Sequence, residues 1–578
     1  MKKLFPVILL LTIFSSVYAA KKPVIAPSTA WTIIQPLGLR EPATIDTLFE
    51  NYSLEFVPSL VSDAYCLTGN YGAPGKNMIW LDRDGRSEFF FADALNAWLP
   101  LANKQKWYNT RIPMTLVSYN TGGGKENAQD RLQATFSGNI NAKAQVGAML
   151  DYIYSKGSYQ YQNDKNMMWG LNGSYIGDRF EFQGFYNHYN SLNKENGGII
   201  DDNYVKDPES VQAGITSFEP KSIPTRLSDA HNRVVGGQLL LNSRYKVGYW
   251  HEEPDSLNDT IVHRTYIPVS SFIWTLNYNQ GRHVFLDDNV TETNEFFEHT
   301  YMNPEKTYDK TTYSSMRNTV GVSMLEGFHK YAKFGLAAYL THEIRKYHQT
   351  ADTLDRTQYE LTPWPEGTEA MPEHVSQNLV WVGGQLTKQR GSILTYDATA
   401  QFGLVGEAAG DIDLVGNVRT RFKLLDDTVR IHAYGMFKNE HPAFLMNQYR
   451  SNHFIWLNDF SKERTFKVGG ILDIPWTDTQ LQVGVENVQN HIYFGEDFLP
   501  AQHGGSIQLF SARLTQKLQW RALHWDNRIT YQTSGDDSVI PLPKLAVYSN
   551  LYLKFKIATL DIQLGLDCDY YTKYYSPI

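Results

Sequence analysis

Few residues in this chain stand at the spacings that catalysis or metal binding requires. Gly122-Gly123-Gly124-Lys125 comes nearest to a phosphate loop, in which backbone N–H groups would cradle phosphate oxygens. That motif needs a second glycine where Tyr119 stands and a magnesium-binding hydroxyl where Glu126 stands, so a flexible loop is the better reading. His342 and His348 lie six positions apart, not the four that place a metal pair on one helix face. The acid pairs Asp201-Asp202, Asp426-Asp427 and Asp536-Asp537 offer adjacent carboxylates that could hold calcium. They sit in turn-rich stretches, where aspartate is the ordinary turn residue. Neither HExxH nor GxSxG occurs. The expected protein is therefore not an enzyme, and has no resident metal and no cofactor.

A different chemistry remains. Arg419, Arg421 and Lys423 repeat at every second position and form a basic ladder, with Glu181 and Asp397 as acidic counterparts elsewhere. Charged side chains on one face of a strand can set which ions pass a pore, through rings of charge at a constriction. These five residues are the pore-lining candidates.

The elements that would position them are strands. From about residue 107 onward, apolar and polar residues alternate in segments of roughly 10 to 13 residues bounded by turn signals. Leu394, Tyr396, Ala398, Ala400, Phe402 and Leu404 fall on one face, opposite Thr395, Asp397, Thr399 and Gln401. Ile412, Leu414, Val418, Phe422 and Leu424 oppose Asp413, Asn417 and the basic ladder. Around Gly177-Asp178, Leu171, Tyr175, Phe180, Phe182 and Tyr186 alternate with Asn172, Ser174, Glu181 and Gln183. Strands in soluble domains run about 5–6 residues, whereas a tilted membrane-spanning strand needs about 9–11. One apolar face for lipid and one polar face for a wet lumen is the pattern of an outer-membrane barrel.

Connection lengths point the same way. Tight turns are expected near 139–142, 177–178, 243, 268–270, 325–333, 388–392, 425–428, 475–479, 517–520 and 557–559. Longer polar loops are expected near 155–166, 191–230, 251–260, 287–312, 348–376, 439–463, 494–503 and 532–545. Short periplasmic turns and long outer loops take turns in this way in barrels. The expectation is an all-β fold: one large antiparallel transmembrane barrel of roughly 20 strands over 107–578. A short irregular segment, 20–106, precedes it as a periplasmic or plug-like piece.

Composition and the N-terminus agree. Hydrophobic residues make up 42% and charged residues 20% of the 578, too apolar for a disordered chain. The 36 Tyr, 29 Phe and 13 Trp suit aromatic girdles at two membrane interfaces. A net charge of −8 argues against nucleic acid as a partner. The two cysteines, Cys66 and Cys568, are too few and too far apart for a disulfide framework. Residues 1–19, MKKLFPVILLLTIFSSVYA, have the basic start, apolar centre and small-residue end of a signal peptide cleaved after Ala19. No later run of 18 apolar residues could form a spanning helix.

At WYNTRIPMT (107–115), DYIYSKGSYQYQ (151–162), GSYIGDRFEFQGFYNHY (173–189) and ENGGIIDDNYV (195–205) the chain strongly resembles the "putative porin" family of Bacteroidetes outer membranes. The same holds at NTVGVSMLEGFHKYAKFGLAAYL (318–340), VWVGG (380–384), YRSNHFIWLNDF (449–460), HWDNRITYQ (524–532) and IPLPKLAVYSNLYLKF (540–555). The resemblance implies an outer-membrane diffusion pore for small hydrophilic solutes, with membrane lipid and the barrel-assembly machinery as partners. It also implies further strands beyond YYTKYYSPI, and hence a chain shortened at its C-terminus with strand number left open. The alternatives are a substrate-specific or TonB-linked transporter, for which 20–106 is a short plug lacking an energy-coupling box, and a structural or adhesive barrel without conductance.

Overall fold

The computed structural model describes residues 28–45, 61–255, 258–352, 359–424 and 427–575. The expected signal segment with Ala19, and Asp426, lie outside the described residues. Among the described residues no helix is long and apolar enough to cross a membrane.

Among the described residues nineteen strands form one antiparallel sheet. The first six are β1 (Met114–Gly122), β2 (Gln129–Asn139), β3 (Ala144–Lys156), β4 (Asn163–Ile176), β5 (Phe180–Lys194) and β6 (His231–Asp255). Next come β7 (Asn258–Asp287), β8 (Thr307–Met324), β9 (Gly335–His348), β10 (His374–Lys388), β11 (Leu394–Val405), β12 (Ile412–Leu424) and β13 (Asp427–Glu440). The last six are β14 (Glu463–Ile474), β15 (Thr479–Gln489), β16 (Ser506–Trp520), β17 (Leu523–Ser534), β18 (Leu545–Ile557) and β19 (Leu560–Tyr571). Eighteen antiparallel ladders join consecutive strands. The order is cyclic, returning β19 to the side of β1. No ladder joins that seam among the described residues.

The alternation read from sequence divides the two faces. Leu414, Val418, Phe422 and Leu424 of β12 are exposed on the outside, as are Leu336 and Leu340 of β9 and Phe272 and Trp274 of β7. Apolar side chains left in the open all along one sheet face are what lipid contact requires.

One region departs from the expected connections. No turn forms at 243 or 268–270, and 251–260 is not an outer loop. Instead β6 and β7 run 25 and 30 residues as one hairpin whose tip lies on the short-turn side. Pro268, which reads as a breaker, faces Gly248 where the register shifts. It also lies beyond Ser270, where the β7–β8 ladder ends. A proline is tolerated at such an irregular, unpartnered edge because no neighbour needs its N–H. The paired arms 247–255 and 258–269 therefore project past the adjoining turns as a two-stranded ribbon.

The N-terminal segment lies in the lumen. Thr29–Ile34 pairs with Leu39–Ala43 and with Trp107–Asn109, and Tyr65–Leu67 pairs with Gly75–Asn77. Short 3-10 helices at Trp80–Asp82, Phe90–Leu95 and Ala102–Lys104 complete it. Strands this short cannot bury a core alone, and they use the wall instead. Phe89, Leu95 and Trp98 pack with Ile153 of β3, Met168 of β4 and Tyr347 of β9. Trp31, Ile33 and Trp107 pack with Phe185 of β5 and Leu240 of β6. Trp80 meets Val488, Ile507 and Leu509 on the other side, and Met78 and Ile79 meet Ala546 of β18. Two glycines permit the close approach. Gly38, at φ 62°, turns so near the wall that a Cβ would sit 2.2 Å from the Asn242 side chain, and a Cβ on Gly281 of β7 would lie 2.6 Å from the Phe89 ring.

Candidate functional site

Charged side chains converge on the lumenal wall and the segment it holds, on a scale that transport needs. Alternation in the strands aims one residue in two inward, and Glu181, Arg345, Arg419, Arg513 and Arg528 among the inward charges meet a partner on the plug-like segment. Glu181 of β5 is buried and bound by Arg40 Nη2 at 2.9 Å and by Lys246 Nζ. Arg419 of β12 donates to Asp397 Oδ1 at 2.7 Å and to Glu41 Oε1 at 3.0 Å, and Asn417 donates to Asp397 at 2.8 Å. Arg421, exposed at the short-turn end, donates to the Ser392 carbonyl, and Lys423 is exposed beside it. The five candidates thus do not form one ring. Asp397 and Arg419 come together, Glu181 sits on the far side, and Arg421 and Lys423 stand at the rim.

Several anchoring pairs carry no sequence signal. Arg528 Nε of β17 lies 2.7 Å from the buried Asp63 carboxylate, and Arg513 of β16 binds Asp82 through Nη1 at 2.8 Å and through Nη2. Arg345 of β9 bridges Glu88 at 2.8 Å and Glu343 at 2.8 Å, while the Tyr347 hydroxyl donates to Glu88 at 3.0 Å. Trp80 Nε1 donates to Glu486 of β15 at 2.9 Å. Backbone atoms add to this: Asn166 and Asn187 donate to the carbonyls of Gly72 and Pro100, and Gln532 donates to that of Met78. These contacts start from β4, β5, β9, β12, β15, β16 and β17, so the segment is tied on opposite sides of the lumen.

Coverage is uneven. The inward residues Gln145, Asp151, Ser155, Asn166, Gln183 and Asn187 of β3–β5 are all buried. Their counterparts on β11–β14, including Asp397, Gln401, Asp413, Asn417, Tyr434, Lys438 and Lys467, stay half-buried. That arc carries charges of both signs. Lys438 lies 3.3 Å from Glu440 and 3.8 Å from Asp413, and Lys467 lies 3.1 Å from Glu486.

The long loops roof the outer end. Arg450, buried in the loop between β13 and β14, donates to the Thr350 and Met371 carbonyls at 2.8 and 3.1 Å and pairs with Glu373 at 2.8 Å. Leu445, Tyr449 and Trp456 of the same loop join the cluster that holds Phe89 and Trp98. His453 stacks on Phe297, its ring 4.1 Å away, with Nδ1 on the His299 carbonyl at 2.7 Å and Nε2 at 2.7 Å from the Thr307 hydroxyl. Burial pushes its pKa down to about 4, against a smaller opposing pull from the His299 carbonyl. Among the described residues no group of three or more His, Cys, Asp or Glu is placed to hold a metal ion.

Known proteins match this architecture. The siderophore receptor PirA from Acinetobacter baumannii superposes with a TM-score of 0.52 at 9% identity, covering 78% of this chain and 67% of that one. A variant of the ferric enterobactin receptor PfeA from Pseudomonas aeruginosa gives 0.53 at 11% identity, over 79% and 67%. The copper transporter OprC gives 0.53 at 10% identity, over 85% and 78%. At such identities the likeness is one of fold. No curated protein matches the sequence. The family described as "Putative porin" matches residues 28–578. The chain belongs to that family, and it is an outer-membrane β-barrel protein.

Proposed function

We propose that this chain is an outer-membrane transporter that admits a specific small solute past a plug formed by its own N-terminal segment, with no catalytic step. The sheet closes in this reading by setting β19 beside β1, which run parallel because the strand number is odd. Solute moves along the half-buried arc of β11–β14 when the plug shifts. The observation that carries the proposal is the set of ion pairs from Glu41, Asp63, Asp82 and Glu88 to four different wall strands, since a segment tied on opposite sides obstructs the lumen between. The solved neighbours, two siderophore receptors and a copper transporter, favour specific cargo over sieving. Passive diffusion of small hydrophilic solutes is the second reading, favoured by the family's description and by the incomplete cover on β11–β14.

Planar-bilayer recording separates them. The intact protein is expected to be nearly silent, and a variant with Glu41→Gln, Asp63→Asn, Asp82→Asn and Glu88→Gln to give large ohmic steps. Large, non-saturating steps from the intact protein, unchanged by the four substitutions, would establish the open pore instead.

A further inference from the structure

We propose that a basin high on the outer wall binds the phosphorylated headgroup of a lipid in the outward-facing leaflet. The basin has a volume of about 550 Å³ and is lined by Tyr278, Gln280 and Arg282 of β7, Lys346 and His348 of β9, and His374 of β10. It opens away from the lumen. On β7 the inward positions are the buried Ile273, Thr275, His283 and Asp287, and on β9 they are Tyr339, Thr341, Glu343 and Tyr347. The basin residues hold the alternate positions and point outward.

Register assembles them. Arg282 lies across from Thr312, Thr312 from His348, and His348 from His374, in a row three strand spacings wide. At about 4.8 Å per spacing that row is about 14 Å across, a width that suits a lipid headgroup. Lys346 sits one outward position below, across from Ser314. The two histidines stack at 4.1 Å and close one end.

Height places the row at a membrane interface. The outward residues of β7 run Phe272, Trp274, Leu276, Tyr278, Gln280, Arg282. Ten residues at about 3.4 Å each, tilted about 40°, rise about 26 Å, close to the apolar band of about 25 Å that outer-membrane barrels present. Arg282 therefore stands where hydrocarbon ends and headgroups begin. It stands at the outer end, because β7 and β9 lead from there into the long loops 288–306 and 349–373.

Charge supplies the selectivity. In the sheet from β4 to β10, excluding the projecting ribbon, the outward upper positions carry Lys165, Arg233, Arg282, Lys310 and Lys346. The acids on those strands outside the ribbon, Asp164, Glu181, Asp287, Asp309 and Glu343, are all buried on the inward face. Arg282 and Lys346 make no ion pair among the described residues. Basic side chains at a membrane surface attract anionic headgroups, and neutral lipid offers them nothing comparable.

The test is native mass spectrometry of the full chain in detergent, with phosphatidic acid, diacylglycerol or inorganic phosphate as probes. Phosphatidic acid is expected to bind at least about tenfold more tightly than diacylglycerol, which differs from it only in lacking the phosphate. R282Q and K346Q should each reduce that preference, R282Q/K346Q should abolish it, and R282K/K346R should keep it. Unchanged heat-shifted gel migration identifies variants that fold, and the single substitutions carry the test if the double one does not. Equal preference in wild type and a folded R282Q or K346Q would overturn the proposal. Full displacement of phosphatidic acid by inorganic phosphate would also overturn it, by revealing a free-anion site.

Discussion

Arg345 shows how much a single lumenal side chain can hold together. It is buried between Glu343 and Glu88, joining wall to plug, and its guanidinium faces the Trp381 ring at 5.9 Å. Removing it leaves two carboxylates facing one another with little water to solvate them. Breaking a buried pair in this way costs about 3–5 kcal/mol. Arg345→Met should therefore lower the urea midpoint strongly, and the double variant Arg345→Met with Glu343→Gln should regain much of that loss by removing one orphaned charge. A double variant no more stable than Arg345→Met would show that charge compensation is not what Arg345 provides. The inward orientation of such residues is legible in the sequence, because period-2 alternation fixes it. Their partners are not legible: Arg40 binds Glu181 from 141 positions away, and Arg528 meets Asp63 across 465. Phe185 and Tyr189 give a hint, two aromatic residues on an inward face that otherwise reads Glu181, Gln183, Asn187, Ser191 and Asn193. Such a break marks where a wet wall becomes a seat for the plug.

Among the elements, the roof formed by the outer loops should respond to pH. His453 is neutral when buried, donating from Nδ1 to the His299 carbonyl and accepting at Nε2 from the Thr307 hydroxyl. Its folded pKa of about 4 lies below the ordinary histidine value of 6.5. The unfolded loop thus binds the extra proton first, so the stabilisation is complete above pH about 6.5 and falls progressively towards pH 4. Protease cleavage of the loop 441–462 should accelerate across that window in wild type. In His453→Asn, which cannot titrate, the acceleration should be largely lost, and an undiminished pH response there would assign it to another group. The strands and most connections were legible because their patterns are local. The β6–β7 ribbon was not, since Pro268 reads as a breaker until the neighbouring edge is known to be empty.

For the whole molecule, ion preference follows from which lumenal charges remain uncompensated. The chain carries −8 overall, but loop charges facing the medium are screened within about 8 Å at physiological salt. Inside, Arg419 faces Asp397 and Glu41, Lys438 faces Asp413 and Glu440, and Lys467 faces Glu486, a net −2. Arg317, donating to Gln401 at 3.3 Å, and the neutralised Glu41 of the anchor variant together bring that to zero. Among the described residues the charges of β12 without an ion pair are Arg421 and Lys423, at its short-turn rim, where low-dielectric walls focus the field. A lumen opened by neutralising the plug anchors should therefore prefer anions weakly. In a tenfold KCl gradient, adding Arg421→Gln and Lys423→Gln to the anchor variant should move the reversal potential towards that of a cation-preferring pore. Arg419→Gln in the same background should move it less, because Asp397 still offsets much of the Arg419 charge after Glu41 is neutralised. A larger shift from Arg419→Gln than from the rim pair would place the narrowest point beside Asp397, deep in the lumen rather than at its rim.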